Sequence, residues 1–264
     1  MNDDLRTRLA LPRYPRSAAY DPHWMIDNVM GPNPLWLLEW LGEAMEFSPG
    51  SRVLDLGCGK ALTSIFLARE YGVRVTAADL WIKPSDNWAR IQAAGCEDLV
   101  TPIFAEAHDL PFADGYFDAI VSIDAYHYFG TDDLYLDYVA RFLRPGGTIG
   151  VVVPGVVEEL DDVPEHLASY WEPGFWSFHS AQWWHRLWSR SGSITKISAD
   201  LLEHGWQDWA LWSETCVEVS DSEFVREFGR RDAEMVRLDA GRTFGFIRLV
   251  GHARTAMQGP LLNA

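Results

Sequence analysis

The chain has 264 residues, 48% of them hydrophobic and 23% charged, enough for a real core and one α/β domain with elaborations. Its formal net charge is −16, and no Lys/Arg run offsets it, which excludes nucleic acid and anionic membrane surfaces as expected partners. No stretch approaches the roughly 20 apolar residues of a membrane span, and the acidic first residues lack the apolar core of a secretory leader, so a cytoplasmic protein is expected.

In chain order, residues 21–34 are rich in Pro, Gly and Asn, and residues 33–45 carry an amphipathic helical pattern. Five short apolar runs follow, at 52–56, 74–80, 100–107, 117–124 and 147–155. They are nearly continuous in apolar character, as strands buried on both faces are. Helical patterns separate them. One is expected to open with Thr131 as N-cap and Asp132 and Asp133 in its first turn, and to end at the Arg-Pro-Gly-Gly of residues 144–147. Repeated βα units predict a doubly wound parallel sheet. Beyond it lie an acidic, irregular stretch and then a tryptophan-rich one. A strand at 194–202, a helix at 221–238 and a closing strand at 242–253 complete a mostly parallel sheet of seven strands.

The first strand runs into Asp55-Leu56-Gly57-Cys58-Gly59, a turn where two glycines let a ligand approach the backbone. In an open sheet ligands sit beyond the carboxyl ends of the strands. There the second strand delivers Asp79, the third Glu106 and Ala107, and the fourth Asp124. Leu62 stands where a dinucleotide fingerprint wants its last glycine, and Asp55 would repel a pyrophosphate. The turn also lacks the upstream glycine and the hydroxyl residue of a phosphate-binding loop. A ligand with an ammonium, a sulfonium and a ribose suits four carboxylates, and S-adenosylmethionine (SAM) is such a ligand.

Residues 53–155 resemble a class I SAM-dependent methyltransferase of the bacterial small-molecule subgroup. The resemblance rests on Val53–Gly59, on Asp79, on the run from Ala105 to Ser122, and on Phe142–Val152. It implies a Rossmann-like fold in which Gly57 and Gly59 face the methionine moiety, with Asp55 supporting its amino group directly or through water. It also implies that Asp79 binds the ribose, Leu80 packs on adenine, and Glu106 or the backbone of Ala107 meets the adenine amino group. Ala61 departs from the family's frequent third glycine, and Glu106 from its usual aspartate. The stretch 20–41 resembles the subgroup's N-terminal lid, which implies that Tyr20, Met30 and Asn33 cover the cofactor. The expected organisation is a helical lid (1–50), a SAM-binding core (51–155), an aromatic cap (156–192) and a C-terminal part completing the sheet (193–264).

The methyl acceptor belongs after the fourth strand. His127 is the candidate general base, or else a histidine held by backbone at a strand–helix junction. Asp124 is placed to pair with the cofactor or with a cationic substrate, since an isolated buried carboxylate is unfavourable. Tyr126 and Tyr128 line the acceptor pocket or pack in the core. Of 13 tryptophans, eight fall between residues 171 and 212. Trp176 and Trp184 are the ones expected to reach substrate, by cation–π attraction or stacking. His166, His179 and His185 lack the spacing of a metal site, and Cys58, Cys96 and Cys216 lack that of a disulfide frame, so no metal is expected. The expected activity is methyl transfer from SAM to an amine or hydroxyl of a small metabolite. Methylation of carbon, or SAM binding without catalysis as a sensor or subunit, are the alternatives. The tryptophan content suggests a homodimer.

Overall fold

The structure is a computed structural model that describes residues 2–255. The first part of the chain forms α1 (Asn2–Leu9), α2 (Pro22–Asp27), α3 (Pro34–Gly42), β1 (Arg52–Leu56), α4 (Leu62–Tyr71) and β2 (Arg74–Asp79). Next come α5 (Pro84–Ala93), β3 (Val100–Phe104), β4 (Phe117–Ile123), α6 (Tyr135–Ala140) and β5 (Leu143–Val156). The last part forms α7 (Ala181–Trp188), β6 (Ile194–Leu201), α8 (Gly205–Val219), α9 (Glu223–Asp239) and β7 (Phe244–Ala253).

The strands make one seven-stranded sheet in the order β3-β2-β1-β4-β5-β7-β6. The five strands from β3 to β5 pair parallel, and β7 runs antiparallel between β5 and β6. The expected Rossmann-like, mostly parallel sheet is therefore the one observed. Alternate residues divide the core into two apolar clusters, as the two-residue period of a strand requires. Val53, Val121 and Val152 belong to the cluster under α3, α4 and α8. Leu54, Ile120 and Val151 belong to the one under α6 and α7. The order of strands reverses between β1 and β4, which opens a crevice at their carboxyl ends.

Three local expectations differ from the structure. The helix expected from Thr131 begins at Tyr135, because the Asp132 side chain accepts the Leu134 N–H at 2.8 Å and holds that stretch as a turn. Arg144–Gly147 does not end a helix; it lies within β5, where Leu143 pairs with Phe117 ahead of an irregularity in register. The region 156–192 is not one cap. Helix α7 packs on β6 and β7 and buries Trp184 and Trp188 in the core as a sheet-flanking helix. Only the preceding loops lie at the sheet's end, with Phe175 and Phe178 against Phe244 at the start of β7.

Candidate cofactor and acceptor site

The turn after β1 is built by its backbone. Gly57 and Gly59 take φ of +74° and +53°, and a Cβ on Gly57 would lie 2.4 Å from that of Ala125. Ala61 takes the left-handed φ of +62° at the position where a third glycine is frequent, and α4 starts after it. Asp79, at the end of β2, fastens this turn to the next. One carboxylate oxygen accepts the Gly59 N–H at 2.8 Å; the other accepts those of Trp81 and Ile82 at 2.7 and 2.8 Å. From α5, the Asn87 amide donates to the Gly59 carbonyl at 2.8 Å.

A cavity of about 310 Å³ opens above this turn. Its floor is Gly57–Lys60, and its walls carry Asp79, Leu80, Glu106, Ala107 and Asp124. Met30, Gly31 and Pro32 close one side, and Trp81 meets Tyr128 edge to face on another, with ring centroids 5.6 Å apart. The lid is tied down by Lys60, whose ammonium donates to the Val29 carbonyl at 3.3 Å, and by Trp212, whose indole donates to the Gly31 carbonyl at 2.9 Å. Asp124 sits in the left-handed region at φ +56°, and no described residue donates a hydrogen bond to its carboxylate. Burial, with Asp232 nearby, pushes its pKa up to about 8. The residues fit a ligand carrying positive charge and ribose hydroxyls. The left-handed glycines form a cradle that side chains would fill, three carboxylates face it, and the Asp124 carboxylate is left for a ligand to satisfy.

Residues 53–147 match the family described as "Methyltransferase domain". Residues 53–147 are a methyltransferase domain. The fold is that of the class I SAM-dependent enzymes. Among curated relatives, the chain is 32% identical to methyltransferase GfsG of Streptomyces halstedii, over 63% of this chain and 59% of that protein. The chain spans between 25% and 59% of the length of the curated relatives it matches. It superposes on a SAM-dependent methyltransferase of Geobacter sulfurreducens in complex with S-adenosylhomocysteine, with a TM-score of 0.62 and 21% identity. That match covers 93% of this chain and all of the other. The Haemonchus contortus phosphoethanolamine N-methyltransferase 2, in complex with SAM, gives 0.71 at 18% identity, covering 96% of this chain and 60% of that one.

One cavity brings together Gly57, Gly59, Asp79, Leu80, Glu106, Ala107, Asp124 and Tyr128 with Met30 of the N-terminal lid. Glu106 is there, but both its oxygens are engaged by His108, through its N–H and its ring. Asp55 lies beneath the turn and off the cavity wall. One oxygen accepts from Thr63 and Ser64, both at 2.6 Å, the other has no partner, and burial raises its pKa to about 6. It braces the start of α4 from below, which corrects a direct role.

Several other expectations are corrected by packing. Asn33 is buried as the N-cap of α3, accepting from Leu35 and Trp36, and Tyr20 turns away to Glu70 and Phe66. Tyr126 is fully buried against Trp184 and Trp188, so neither it nor Trp184 reaches the cavity. Trp176 is exposed beside Trp171, outside the cavity walls. His127 is buried against Tyr128 and Phe178, off the wall, and burial depresses its pKa to about 3. Trp81, Lys60 and Asn87 are contributors that motif reading passed over. Trp81 alone had a signal, two residues beyond a strand-end acid.

Proposed function

We propose that this protein transfers the methyl group of SAM to an amine or hydroxyl of a small molecule. The reading rests chiefly on the cavity at the ends of β1, β2 and β4. There a left-handed glycine cradle faces Asp79, Glu106 and Asp124, a wall more negative than Lys60 can balance. When bound, SAM supplies an electrophilic methyl on a sulfonium whose leaving group is a neutral thioether.

The chain's own residues bind, orient and shield. The turn Gly57–Gly59 receives the amino-acid end of the cofactor. Asp79 spends three acceptor sites on backbone N–H groups. A carboxylate offers about four such sites, which leaves one for a ribose hydroxyl. Leu80 supplies an apolar face for adenine, and Ala107 its backbone. Met30 and Pro32 keep water from the reacting centre, which preserves alignment between acceptor and methyl. Titration calorimetry with SAM, S-adenosylhomocysteine and NADH tests the reading. Binding of both adenosyl ligands without NADH, followed by methylation within a panel of amines and alcohols, supports it. NADH binding without SAM would overturn it.

A further inference from the structure

A second, smaller cavity of about 60 Å³ lies on the far side of the lid, between α8 and α9. It shares Met30 and Gly31 with the cofactor cavity, so the two cavities adjoin at that segment of the lid. Its outer lip is apolar and open to solvent: Phe224 and Phe228 are both exposed and stack in parallel at 6.3 Å. Trp212 and Cys216 form its inner wall. Asp232, 9% exposed, is its one ionisable oxygen acid. Trp209 donates to one oxygen of Asp232 at 3.2 Å, and no described residue donates to the other. Across the lid stands Asp124. Its Oδ2 would lie 2.6 Å from a Cβ on Gly31, so the absent side chain there lets the carboxylate reach the segment that both cavities share.

We infer that the methyl acceptor enters through this second cavity as an amine on an apolar body, its ammonium seated by Asp232 and its proton received by Asp124. The inference rests on the proposed methyl transfer and names its acceptor. The chemistry follows from the unmatched charge. Two carboxylates flank the lid beside an apolar lip, and among the described residues neither takes part in an ion pair; Arg231, near Asp232, pairs with Glu172 instead. A cation supplies the missing partner, and an apolar body covers Phe224 and Phe228. An ammonium has no lone pair to offer. Passing one N–H proton to an Asp124 oxygen frees it. The pair then forms the N–C bond while the C–S bond breaks with its electrons to sulfur, and the product leaves as a methylated ammonium. Asp124 afterwards returns its proton to solvent. A carboxyl that titrates near neutrality is suited to this exchange.

Burial and Asp232 raise Asp124, with Tyr128 as its neighbour, and Trp209, Glu172 and Arg231 act on Asp232. Burial also raises Asp232, to about 7. An ammonium between them stabilises both carboxylates, so binding near neutrality releases protons. The test is calorimetry on the full chain with three probes of one shape: phenethylamine, phenethyl alcohol and phenylpropionate. Phenethylamine should bind at least about tenfold tighter than the alcohol, and the carboxylate should not compete. Its heat should differ between phosphate and Tris by the proton released. Asp232→Asn should weaken the amine about tenfold while leaving S-adenosylhomocysteine affinity intact, which also reports correct folding. Equal binding of amine and alcohol, an amine affinity indifferent to Asp232→Asn, or no probe binding to protein that still binds S-adenosylhomocysteine would overturn the inference. Loss of S-adenosylhomocysteine binding by the unmodified protein would instead count against the methyl-transfer reading.

Discussion

At the scale of single residues, Asp79 is a scaffold by its contacts and, in the proposed reading, a ligand as well. It closes two turns through the Gly59, Trp81 and Ile82 N–H groups, and in the proposed reading its replacement strands the ribose along with those donors. Asp79→Ala is expected to weaken SAM by about 1–3 kcal/mol, measured by calorimetry; unchanged affinity would displace the ribose from this strand end. His127 makes a separate prediction about pH. Its folded pKa, about 3, lies below that of an exposed histidine. Stability from the neutral ring is therefore complete above about pH 6.5 and is lost as pH falls toward the folded value. Relative to His127→Phe, the unmodified protein should lose about 1 kcal/mol between about pH 6.5 and 5.5 in urea denaturation. Comparing the two proteins cancels the carboxyls Asp55, Asp124 and Asp232, whose raised pKa values act in the opposite sense.

At the scale of elements, the lid depends on helix ends. Asn33 starts α3 by accepting two N–H bonds, and Glu39, buried on the same helix, accepts the Arg16 N–H and the Ser17 N–H and hydroxyl. These contacts hold the N-terminal segment on the sheet domain and leave Met30–Pro32 over the cavity. Asn33→Ala is expected to lower stability by about 1–2 kcal/mol, the usual loss of an N-cap, while calorimetry shows SAM affinity unchanged. A large fall in affinity with stability preserved would restore Asn33 to the cofactor. The same scale explains the tryptophans. Spacing alone could not divide α7, which covers the sheet with Trp184 and Trp188, from α8, which presents Trp212 to the second cavity. Both patterns are amphipathic; what each faces is set by where the chain returns. Because Trp184, Trp188, Trp209 and Trp212 are buried within the chain, they offer nothing to a partner copy.

At the scale of the whole molecule, the charge of −16 surrounds a cavity that itself carries three carboxylates. Such a field steers cations and fades with salt. SAM is a net cation at neutral pH and S-adenosylhomocysteine is neutral overall. Stopped-flow association of SAM should therefore slow as salt is raised from low to physiological strength, while that of S-adenosylhomocysteine stays nearly constant. Parallel behaviour of the two would mean that the field does not reach the cavity mouth. Among the described residues no helix is long and apolar enough to cross a membrane.

The strands, their order along the chain and the cofactor turn were legible in the sequence because each depends on near neighbours. Apolar runs of strand length make strands, and Gly57 and Gly59 take backbone conformations that few other residues accept. The carboxyl ends of strands then collect Asp79, Glu106 and Asp124 by topology alone. Tertiary structure decided the rest, since burial and facing are properties of what packs from elsewhere in the chain. It turned His127, Tyr126 and Asn33 inward, and it placed Asp55 behind the turn rather than in it. It also carried Asp232, from a helix with no motif, to the opposite side of Gly31 from Asp124. No local spacing encodes that meeting, because it exists only once α9 has folded back onto α8 and the lid.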